Sequence, residues 1–352
     1  MSERVTIKDI ARAANVSVGT VDRALNNRGR ISAETSKMIF RIAEEMHYKP
    51  NKLASALGKK KTINIAAVFP EQPDYFFGEI ERGFRDAQRE LSDYGLQIHH
   101  IPTENLNPKT QVEVLRKIGR EQFDGVLVAT GGEGLEGEIN RLYDEGVPIA
   151  TFNSDAVKSK RLFFIGVDYT NSGRVAASLL GKFCQGHGKV AVFKGFKEVF
   201  SHRARKKGFV EFLKEEYPEI NRVSGRDYAD RDDLAYESVK DYLKLHGDVT
   251  AVFVTSAPGT VGAGRAIGEL PPESRPMLIG YDLNDYTAKL LRDRICWGII
   301  AQAPERQSYY AAKTLLKYIL EGSFEENDIV NAKSQIILRE NLREYPEYEK
   351  YV

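Results

Sequence analysis

Short apolar runs alternate with amphipathic helical patterns through most of the chain, from Thr62 onward. Strands in the interior of a parallel sheet are buried on both faces, so they appear in a sequence as nearly continuous apolar runs. Alternation of such strands with helices predicts parallel sheets that are covered by helices on both faces. The sequence therefore predicts an α/β fold for this region.

The predicted elements fall into two series. The first has strands near 63–70, 96–102, 125–130, 148–153 and 163–168, with helices near 78–94, 108–121 and 134–145. The second has strands near 189–195, 223–228, 251–256, 277–282 and 297–302, with helices near 171–186, 202–217, 231–246, 259–268 and 283–293. Two such series predict two doubly wound, parallel-sheet lobes. Lobe one is predicted at about 62–168 and 298–325, and lobe two at about 169–297 and 326–352.

Three shorter helical patterns precede this region. Thr6 begins the first helix, and Ser17 begins the second after a tight turn, because both are favourable N-cap residues. Ser32 begins a third and longer helix that ends near His47. Two helices joined by a short turn and covered by a third are typical of a helix-turn-helix unit. Residues 1–50 are therefore predicted to be a three-helix DNA-binding headpiece.

The segment 51–61 is predicted to be a hinge helix and linker, because its two helical turns are too few to be stable alone in water. Residues 1–61 contain 13 Lys or Arg against 6 Asp or Glu, whereas the remaining residues contain 38 against 44. A basic end on an acidic body predicts a polyanionic partner at that end. The rest of the chain, 62–352, is then the two-lobed domain for effector binding and dimerisation.

Composition and targeting signals exclude several classes of protein. No apolar run approaches the ~18 residues that a transmembrane helix requires. The N-terminus lacks the apolar core of a secretory signal. The two cysteines, Cys184 and Cys296, are too few for a disulfide framework and fit a reducing compartment. The sequence predicts a cytoplasmic protein without a membrane partner.

The sequence does not favour an enzyme. Glycines in the segment Gly262–Gly268 follow a strand, but their spacing is one residue too long for a dinucleotide-binding fingerprint, and they lie in the middle of lobe two. The six histidines are not spaced as metal ligands. We therefore predict no catalytic residue, no metal site and no cofactor.

The headpiece resembles a known family. The segments VTIKDIARAANVSVGTVDRALN, GRISAETSKMIFRIAEEMHYKPN and LASALGKKKT are similar, in order and spacing, to the lactose-repressor family of bacterial transcription regulators. More loosely, PDYFFGEIERGF, FNSDA, RKKGF, IGYD and the IAQ after Trp297 resemble periplasmic sugar-binding proteins of the ribose-binding type. The resemblance implies a periplasmic-binding-protein-like sensor that controls binding to double-stranded operator DNA.

Helix 17–26 is the predicted recognition helix, whose N-terminal side chains meet base edges in the major groove. The resemblance places Val18 and Gly19 at the two positions where the family reads bases. Arg23 can pair bidentately with a guanine. Asp22 departs from the family, in which serine is usual at this position. Further donors to DNA are expected from Thr6, Ser17, Thr20 and Asn26.

In the hinge, Leu57 matches the leucine wedge of the family, and Leu53 and Ala54 lie on the same face. Two such helices from a dimer would enter the minor groove, where the leucines partly unstack a base step. Because each headpiece reads one half-site, we expect a homodimer on a pseudo-palindromic operator. The alternative is that Leu57 packs on the sensor.

A sugar site needs aromatic rings for the C–H faces of the sugar and a few charged or amide groups for its hydroxyls. Ligands of open parallel sheets bind beyond the C-terminal ends of the strands. Residues there predict an effector site comprising Phe76, Phe77, Asn153, Asp155, Arg205, Ser256, Asp282 and Gln302. The resemblance implies that Arg205 is the ligand-binding arginine. Either phenylalanine could instead belong to the core, and Tyr75 could substitute for it.

We therefore expect a repressor of a carbohydrate catabolic operon, whose operator affinity is changed by a sugar or polyol bound between the lobes. The resemblance implies that the sugar releases the protein from DNA. A phosphorylated sugar or a purine, acting as effector or co-repressor, is the alternative. His202 with Arg203 and Arg205 could bind the anion of a phosphorylated sugar.

Overall fold

A computed structural model describes residues 7–25, 31–46, 62–71, 74–104 and 106–351. The chain divides into two compact units, Met1–Lys59 and Lys60–Val352. The division falls inside the predicted linker, and each unit has its own buried core.

Three helices form the described part of the first unit: α1 Ile7–Ala13, α2 Val18–Leu25 and α3 Ala33–Glu45. The Oγ of Ser17 accepts a hydrogen bond from the Thr20 N–H at 3.1 Å, as an N-cap side chain does. Ser32 caps α3 in the same way, by accepting from the Thr35 N–H at 3.1 Å. Thr6, the predicted cap of α1, lies outside the described residues.

The core of the first unit is small and aliphatic. Ile10, Val21 and Ile39, one from each helix, are fully buried, and small alanines between them let the helices approach closely. Asn15, in the turn between α1 and α2, has a φ of +50°, a conformation that asparagine adopts more readily than most residues. The helix-turn-helix prediction is confirmed for these residues.

Lobe one of the second unit contains, among the described residues, a five-stranded parallel sheet in the order β2-β1-β3-β4-β5. Its strands are β1 Ile63–Pro70, β2 Leu96–Thr103, β3 Gly125–Val128, β4 Ile149–Phe152 and β5 Phe164–Ile165. The connecting helices are α4 Asp74–Glu90, α5 Pro108–Arg116 and α6 Glu136–Asp144. Strands β3 and β4 are entirely buried, because helices cover both faces of the sheet.

Lobe two repeats this plan over the described residues, with a six-stranded sheet in the order β11-β10-β9-β8-β6-β7. Its strands are β6 Gly188–Phe193, β7 Ile220–Ser224, β8 Ala251–Val254, β9 Met277–Tyr281, β10 Cys296–Ala301 and β11 Gln335–Ile337. Its helices are α7 Tyr169–Phe183, α8 Phe200–Glu216, α9 Asp232–Leu245, α10 Ala257–Gly268 and α11 Asp285–Arg292. Only β11 departs from the parallel arrangement, since it pairs antiparallel with β10.

The chain returns to lobe one later than the sequence predicts. The boundary was expected near 298, but β10 lies in the sheet of lobe two as far as Ala301. Helix α12 Pro304–Glu321 then packs against α4, where a Cβ on Gly83 would lie 2.0 Å from the Glu305 carbonyl oxygen. The sequence reading did not identify α12, and it placed β7 a few residues too late.

Short 3₁₀ helices at Arg339–Glu344 and Pro346–Tyr351 complete lobe two. Leu342 and Tyr348 from these turns are buried in its core. None of the helices in the described residues is long and apolar enough to cross a membrane.

Candidate functional site

A cavity of about 370 Å³, part of it open to solvent, lies where the C-terminal ends of strands from both lobes meet; we call it the inner cavity. Lobe one lines it with Phe76, Phe77, Leu106 and Asn153, and lobe two with Ser201, His202, Arg205, Asp230, Ser256, Ala257, Pro258, Asp282 and Gln302. Of the eight side chains predicted for the effector site, all but Asp155 line this cavity.

Asp155 is held away from the inner cavity by its own lobe. Its carboxylate accepts hydrogen bonds from the Thr151 hydroxyl at 2.6 Å and the Ala156 N–H at 2.8 Å. Arg161 forms a bidentate ion pair with both carboxylate oxygens. A carboxylate that is already saturated with donors in this way has little capacity to bind a ligand, so Asp155 fixes the loop that follows β4.

Arg205, on the first turns of α8, is the main cation of the inner cavity. Its guanidinium donates to the Thr255 carbonyl oxygen and to Gln302 Oε1, both at 2.8 Å. The rings of Tyr169 and Tyr281 lie 4.9 and 4.1 Å from its Cζ and fix its plane. Its Nε is buried yet has no hydrogen-bond partner among the described residues. A residue that lines the cavity therefore has an unsatisfied donor.

Asp282 follows β9 and is linked to Arg205 through Gln302, whose Nε2 donates to Asp282 Oδ1 at 2.8 Å. Burial raises the pKa of the Asp282 carboxyl from its ordinary 3.8 to about 6, although Arg205 and Gln302 partly oppose the shift. The φ of Asp282 is +67°, and Asn153, which follows β4 in lobe one, has a φ of +58°. The two lobes thus present an amide and a carboxylate at corresponding strand ends.

His202 and Asp230 also line the inner cavity, although the sequence reading did not include them in the sugar site. Burial lowers the pKa of His202 from 6.5 to about 4. Its Nδ1 accepts from the Phe196 N–H at 3.1 Å, so the neutral ring carries its proton on Nε2. Asp230 Oδ1 lies 3.9 Å from that Nε2 and has no hydrogen-bond partner among the described residues.

A signal for these two residues was present in the sequence. Asp230 lies between the end of β7 and the start of α9, the kind of position at which the other site residues were predicted. The sequence analysis assigns His202 only to the alternative site for the anion of a phosphorylated sugar.

The two phenylalanines, Phe76 and Phe77, have different roles. Phe77 is 3% exposed and packs in the core of lobe one, with its ring 6.3 Å from that of Phe69. Phe76 is only partly buried and meets Phe77 edge to face at 5.0 Å. The aromatic face available to a ligand is therefore that of Phe76.

Ser256 caps α10, since its Oγ accepts from the Gly259 N–H at 3.4 Å, and it also hydrogen-bonds Tyr228 at 2.8 Å. These contacts fix the wall of the inner cavity. The glycines of Gly262–Gly268 lie within the same helix, where Gly262 allows close packing on α9 and Gly264 on α11, so they do not form a phosphate-binding turn. No group of three or more potential metal ligands occurs within the described ranges.

In the first unit, α2 presents an exposed polar surface. Ser17, Val18, Gly19 and Arg23 are exposed, and Thr20 is half-buried. Their hydroxyls and guanidinium form a chain, with Ser17 Oγ 2.8 Å from Thr20 Oγ1 and Arg23 donating to Thr20 at 3.3 Å. These five predicted DNA contacts therefore share one face. The other predicted contacts, Thr6, Asn26, Leu53, Ala54 and Leu57, lie outside the described residues.

Comparison with known proteins agrees with both halves of this arrangement. Residues 65–323 match the periplasmic binding protein domain, and residues 6–51 match the bacterial regulatory proteins of the lacI family. The transcriptional regulator DegA of Bacillus subtilis is 31% identical over 60% of this chain, and the match spans 61% of DegA. The probable transcriptional repressor ExuR, also of Bacillus subtilis, is 26% identical over 96% of this chain and 98% of its own length.

Among solved structures, the fold is similar to that of a solute-binding protein from Burkholderia graminis in complex with D-arabinose. The TM-score is 0.74 at 22% identity, with 82% of this chain and 99% of that chain covered. The chain therefore belongs to the lacI family of bacterial regulatory proteins, with the DNA-binding domain of that family at its N-terminus and a periplasmic binding protein domain behind it.

Proposed function

We propose that this regulator binds operator DNA through α2 and that an uncharged sugar or polyol in the inner cavity changes its operator affinity. The observation that carries the proposal is a pair of buried polar atoms on residues that line that cavity, Arg205 Nε and Asp230 Oδ1, which have no hydrogen-bond partner among the described residues. Such groups are costly to bury unless something completes their hydrogen bonds. A polyol supplies both an acceptor and a donor in each hydroxyl.

The charges of the inner cavity favour a neutral ligand. One guanidinium, Arg205, faces two carboxylates, Asp230 and Asp282, and His202 is neutral at physiological pH because burial depresses its pKa. A phosphorylated sugar would bring its charge close to both carboxylates, so this arrangement disfavours it. Phe76 provides a ring for the C–H face of a sugar. The relative with the same fold binds D-arabinose, a neutral sugar.

The exposed face of α2 supports sequence-specific DNA binding. Arg23 is the one member of that face that can pair bidentately with guanine, and Thr20 holds its guanidinium in place. Val18 has no polar side-chain atom, so discrimination at its position is expected from contact with a thymine methyl group. The proposal also includes a homodimer in the cytoplasm, since each subunit binds one half of a symmetric operator. Leu57 of each subunit would then enter the minor groove at the operator centre.

In this mechanism the sugar draws the two lobes together. The inner cavity is lined from both lobes, so a ligand there stabilises their closed arrangement relative to an open one. Closure then alters the geometry of the hinge helices and releases the operator, which allows the regulated operon to be transcribed. Operator and sugar affinities must change by the same factor, because binding linkage is reciprocal.

The test is operator affinity with and without sugars, measured with the full-length protein and a duplex selected by its own binding. Anisotropy titrations would use D-arabinose, D-xylose, D-galactose and D-glucose, each at several salt concentrations. A steep loss of affinity with salt is expected, since phosphate contacts release counterions. At least one sugar should lower operator affinity by tenfold or more. Unchanged operator affinity with every sugar that binds would reject the mechanism.

Variants separate the two functions. Asp282→Ala should abolish the sugar response and leave operator affinity intact. Asp293→Ala is the matched control, because Asp293 is exposed, pairs with its neighbour Arg292 and does not line either cavity. A normal sugar response in Asp282→Ala would contradict the proposed site.

A further inference from the structure

A second and larger cavity adjoins the inner cavity. It encloses about 1030 Å³, part of it open to solvent, and shares Phe76, Asp282 and Gln302 with the inner cavity. We call it the outer cavity. Tyr75, Glu79, Leu283, Glu305, Arg306, Tyr345, Glu347 and Tyr348 are among its other lining residues. A ligand that contacts the shared residues can therefore extend from one cavity into the other.

The two walls of the outer cavity come from different lobes. Tyr75 and Glu79, on α4, form the lobe-one side, together with the start of α12. The C-terminal turns form the opposite side and are anchored to lobe two. Tyr348 donates to the Leu283 carbonyl oxygen at 3.4 Å, and Lys350 pairs with Asp285 at 2.8 Å. A molecule in this cavity therefore touches both lobes, as a molecule in the inner cavity does.

The lining of the outer cavity suits an uncharged sugar ring. Tyrosine rings bind the C–H faces of sugars, and carboxylates accept hydrogen bonds from their hydroxyls. The hydroxyl of Tyr75 is buried and has no hydrogen-bond partner among the residues that the structure describes. One lining residue of the outer cavity thus has an unsatisfied hydroxyl. Tyr345 is held at its hydroxyl by Gln335, at a distance of 3.5 Å.

The charges of the outer cavity disfavour an anionic ligand. Glu79, Glu305 and Glu347 line it, and Arg306 is the basic residue among the lining groups. The nearby Arg82 pairs with both Glu79 and Glu305, so one negative charge remains when all five groups are counted. A phosphate or carboxylate on the ligand would face this excess of negative charge, whereas a neutral sugar would not.

We infer that the outer cavity is a second sugar subsite and that the effector is an uncharged oligosaccharide of at least two linked rings. One ring occupies the inner cavity and the next stacks between Phe76 and the tyrosines of the outer cavity. This inference rests on the proposed function, because it requires a sugar in the inner cavity. It narrows the effector from any neutral sugar to a disaccharide or longer chain.

The experiment is calorimetric titration of the full-length protein with matched pairs of sugars. Suitable sets are D-xylose with xylobiose, D-glucose with maltose or cellobiose, and D-galactose with lactose or melibiose. Glucose 6-phosphate is the anionic probe. One disaccharide should bind at least tenfold more tightly than its monosaccharide, which corresponds to about 1.4 kcal/mol. The same disaccharide should change operator affinity.

Two substitutions confined to the outer cavity test the assignment. Tyr345→Ala should remove the higher affinity for the disaccharide and leave the dissociation constant of the monosaccharide unchanged within twofold. Glu347→Gln, at an exposed position that does not affect folding, should weaken the disaccharide alone. Tyr143→Ala is the matched control, since Tyr143 is an exposed tyrosine on α6 outside both cavities.

The outcomes are distinguishable. A monosaccharide that binds as tightly as every disaccharide, with Tyr345→Ala without effect, would overturn the second subsite and leave the proposed function intact. Preferential binding of glucose 6-phosphate would overturn the inference, because the charge argument would then be wrong. Failure of every sugar to bind would reject the proposed function, and the inference with it.

Discussion

The charge of Asp282 is expected to reduce the stability of the sugar-free protein, and Asp282→Asn isolates that effect. The side chain is buried in the inner cavity, where Arg205, Asp230 and Glu79 are the charged groups that act on it. Asparagine keeps the shape of the side chain and the acceptor for Gln302 but cannot ionise. Both residues tolerate the positive φ at this position. The substitution therefore removes the charge with little other change.

The magnitude follows from the pKa. Burial raises the pKa of Asp282 from 3.8 to about 6, and a shift of about two units corresponds to about 3 kcal/mol. Between pH 4 and 6 the folded protein binds this proton more tightly than the unfolded chain does. The contribution of Asp282 to stability is therefore most favourable below pH 4 and is lost as the pH rises through 6.

His202 acts in the opposite direction over nearly the same range. Its pKa is lowered from 6.5 to about 4, so the unfolded chain binds this proton more tightly than the folded protein does. The folded protein is therefore less stable at pH 4, and it regains this stability as the pH rises to 6.5. The two contributions largely cancel in the wild-type protein. The variant must therefore be compared with the wild type at each pH, because the difference between them cancels the His202 contribution.

The assay is urea unfolding of both proteins at pH 4 and pH 7.5, followed by circular dichroism and by the fluorescence of Trp297, the single tryptophan. The Asn variant should gain about 2.4 kcal/mol relative to the wild type between the two pH values, because the carboxyl of the unfolded chain is already partly ionised at pH 4. The part of the difference in unfolding free energy that is the same at both pH values reflects the change of side chain and not its ionisation. A difference that does not change with pH would refute the reasoning, since Asp282 would then ionise as it does in water.

Four further results are expected. Arg205→Ala should abolish sugar binding in calorimetry while operator affinity stays unchanged. Arg23→Ala should lower operator affinity by about 1–3 kcal/mol and relax specificity at one base pair, whereas Arg12→Ala, an exposed arginine on α1, should do neither. Arg161→Ala should cost about 3 kcal/mol in urea unfolding, because Asp155 loses its cation, and should leave sugar affinity unchanged. Gly132→Ala should weaken sugar binding, since its Cβ would lie 2.1 Å from the Glu198 carbonyl oxygen of the other lobe.

The rule that places polar residues at strand ends brings seven of the eight predicted side chains to one cavity, because the C-terminal ends of parallel strands converge at one edge of a sheet. It failed for Asp155 for a physical reason. Asn153 and Asp155 follow the same strand, yet Arg161, six residues later, turns back and neutralises the second of them. The path of that loop depends on tertiary packing, which the sequence pattern does not contain.

The missed helix α12 shows a different limit. Its end signals were present, since Pro304 stands in the first turn and Gly322 follows the last residue with a φ of +78°. The strand that follows it, β11, is only three residues long and is not among the strands that the sequence predicts, so alternation of strands and helices does not indicate a helix there. The helix matters for the site because Gln307, on its first turns, donates to the Gln302 carbonyl oxygen at 2.8 Å.

The distribution of the site between the lobes restricts which ligands can act as effectors. Arg205, Gln302 and Asp282 form a network that lobe two completes by itself. A ligand that touched only this network would bind the open and closed arrangements equally, and it would therefore shift neither. Lobe one contributes Phe76, Phe77, Leu106 and Asn153 to the inner cavity, so a ligand there must reach at least one of these to favour closure. Tight binding to Arg205 alone is consequently not sufficient for a response at the operator.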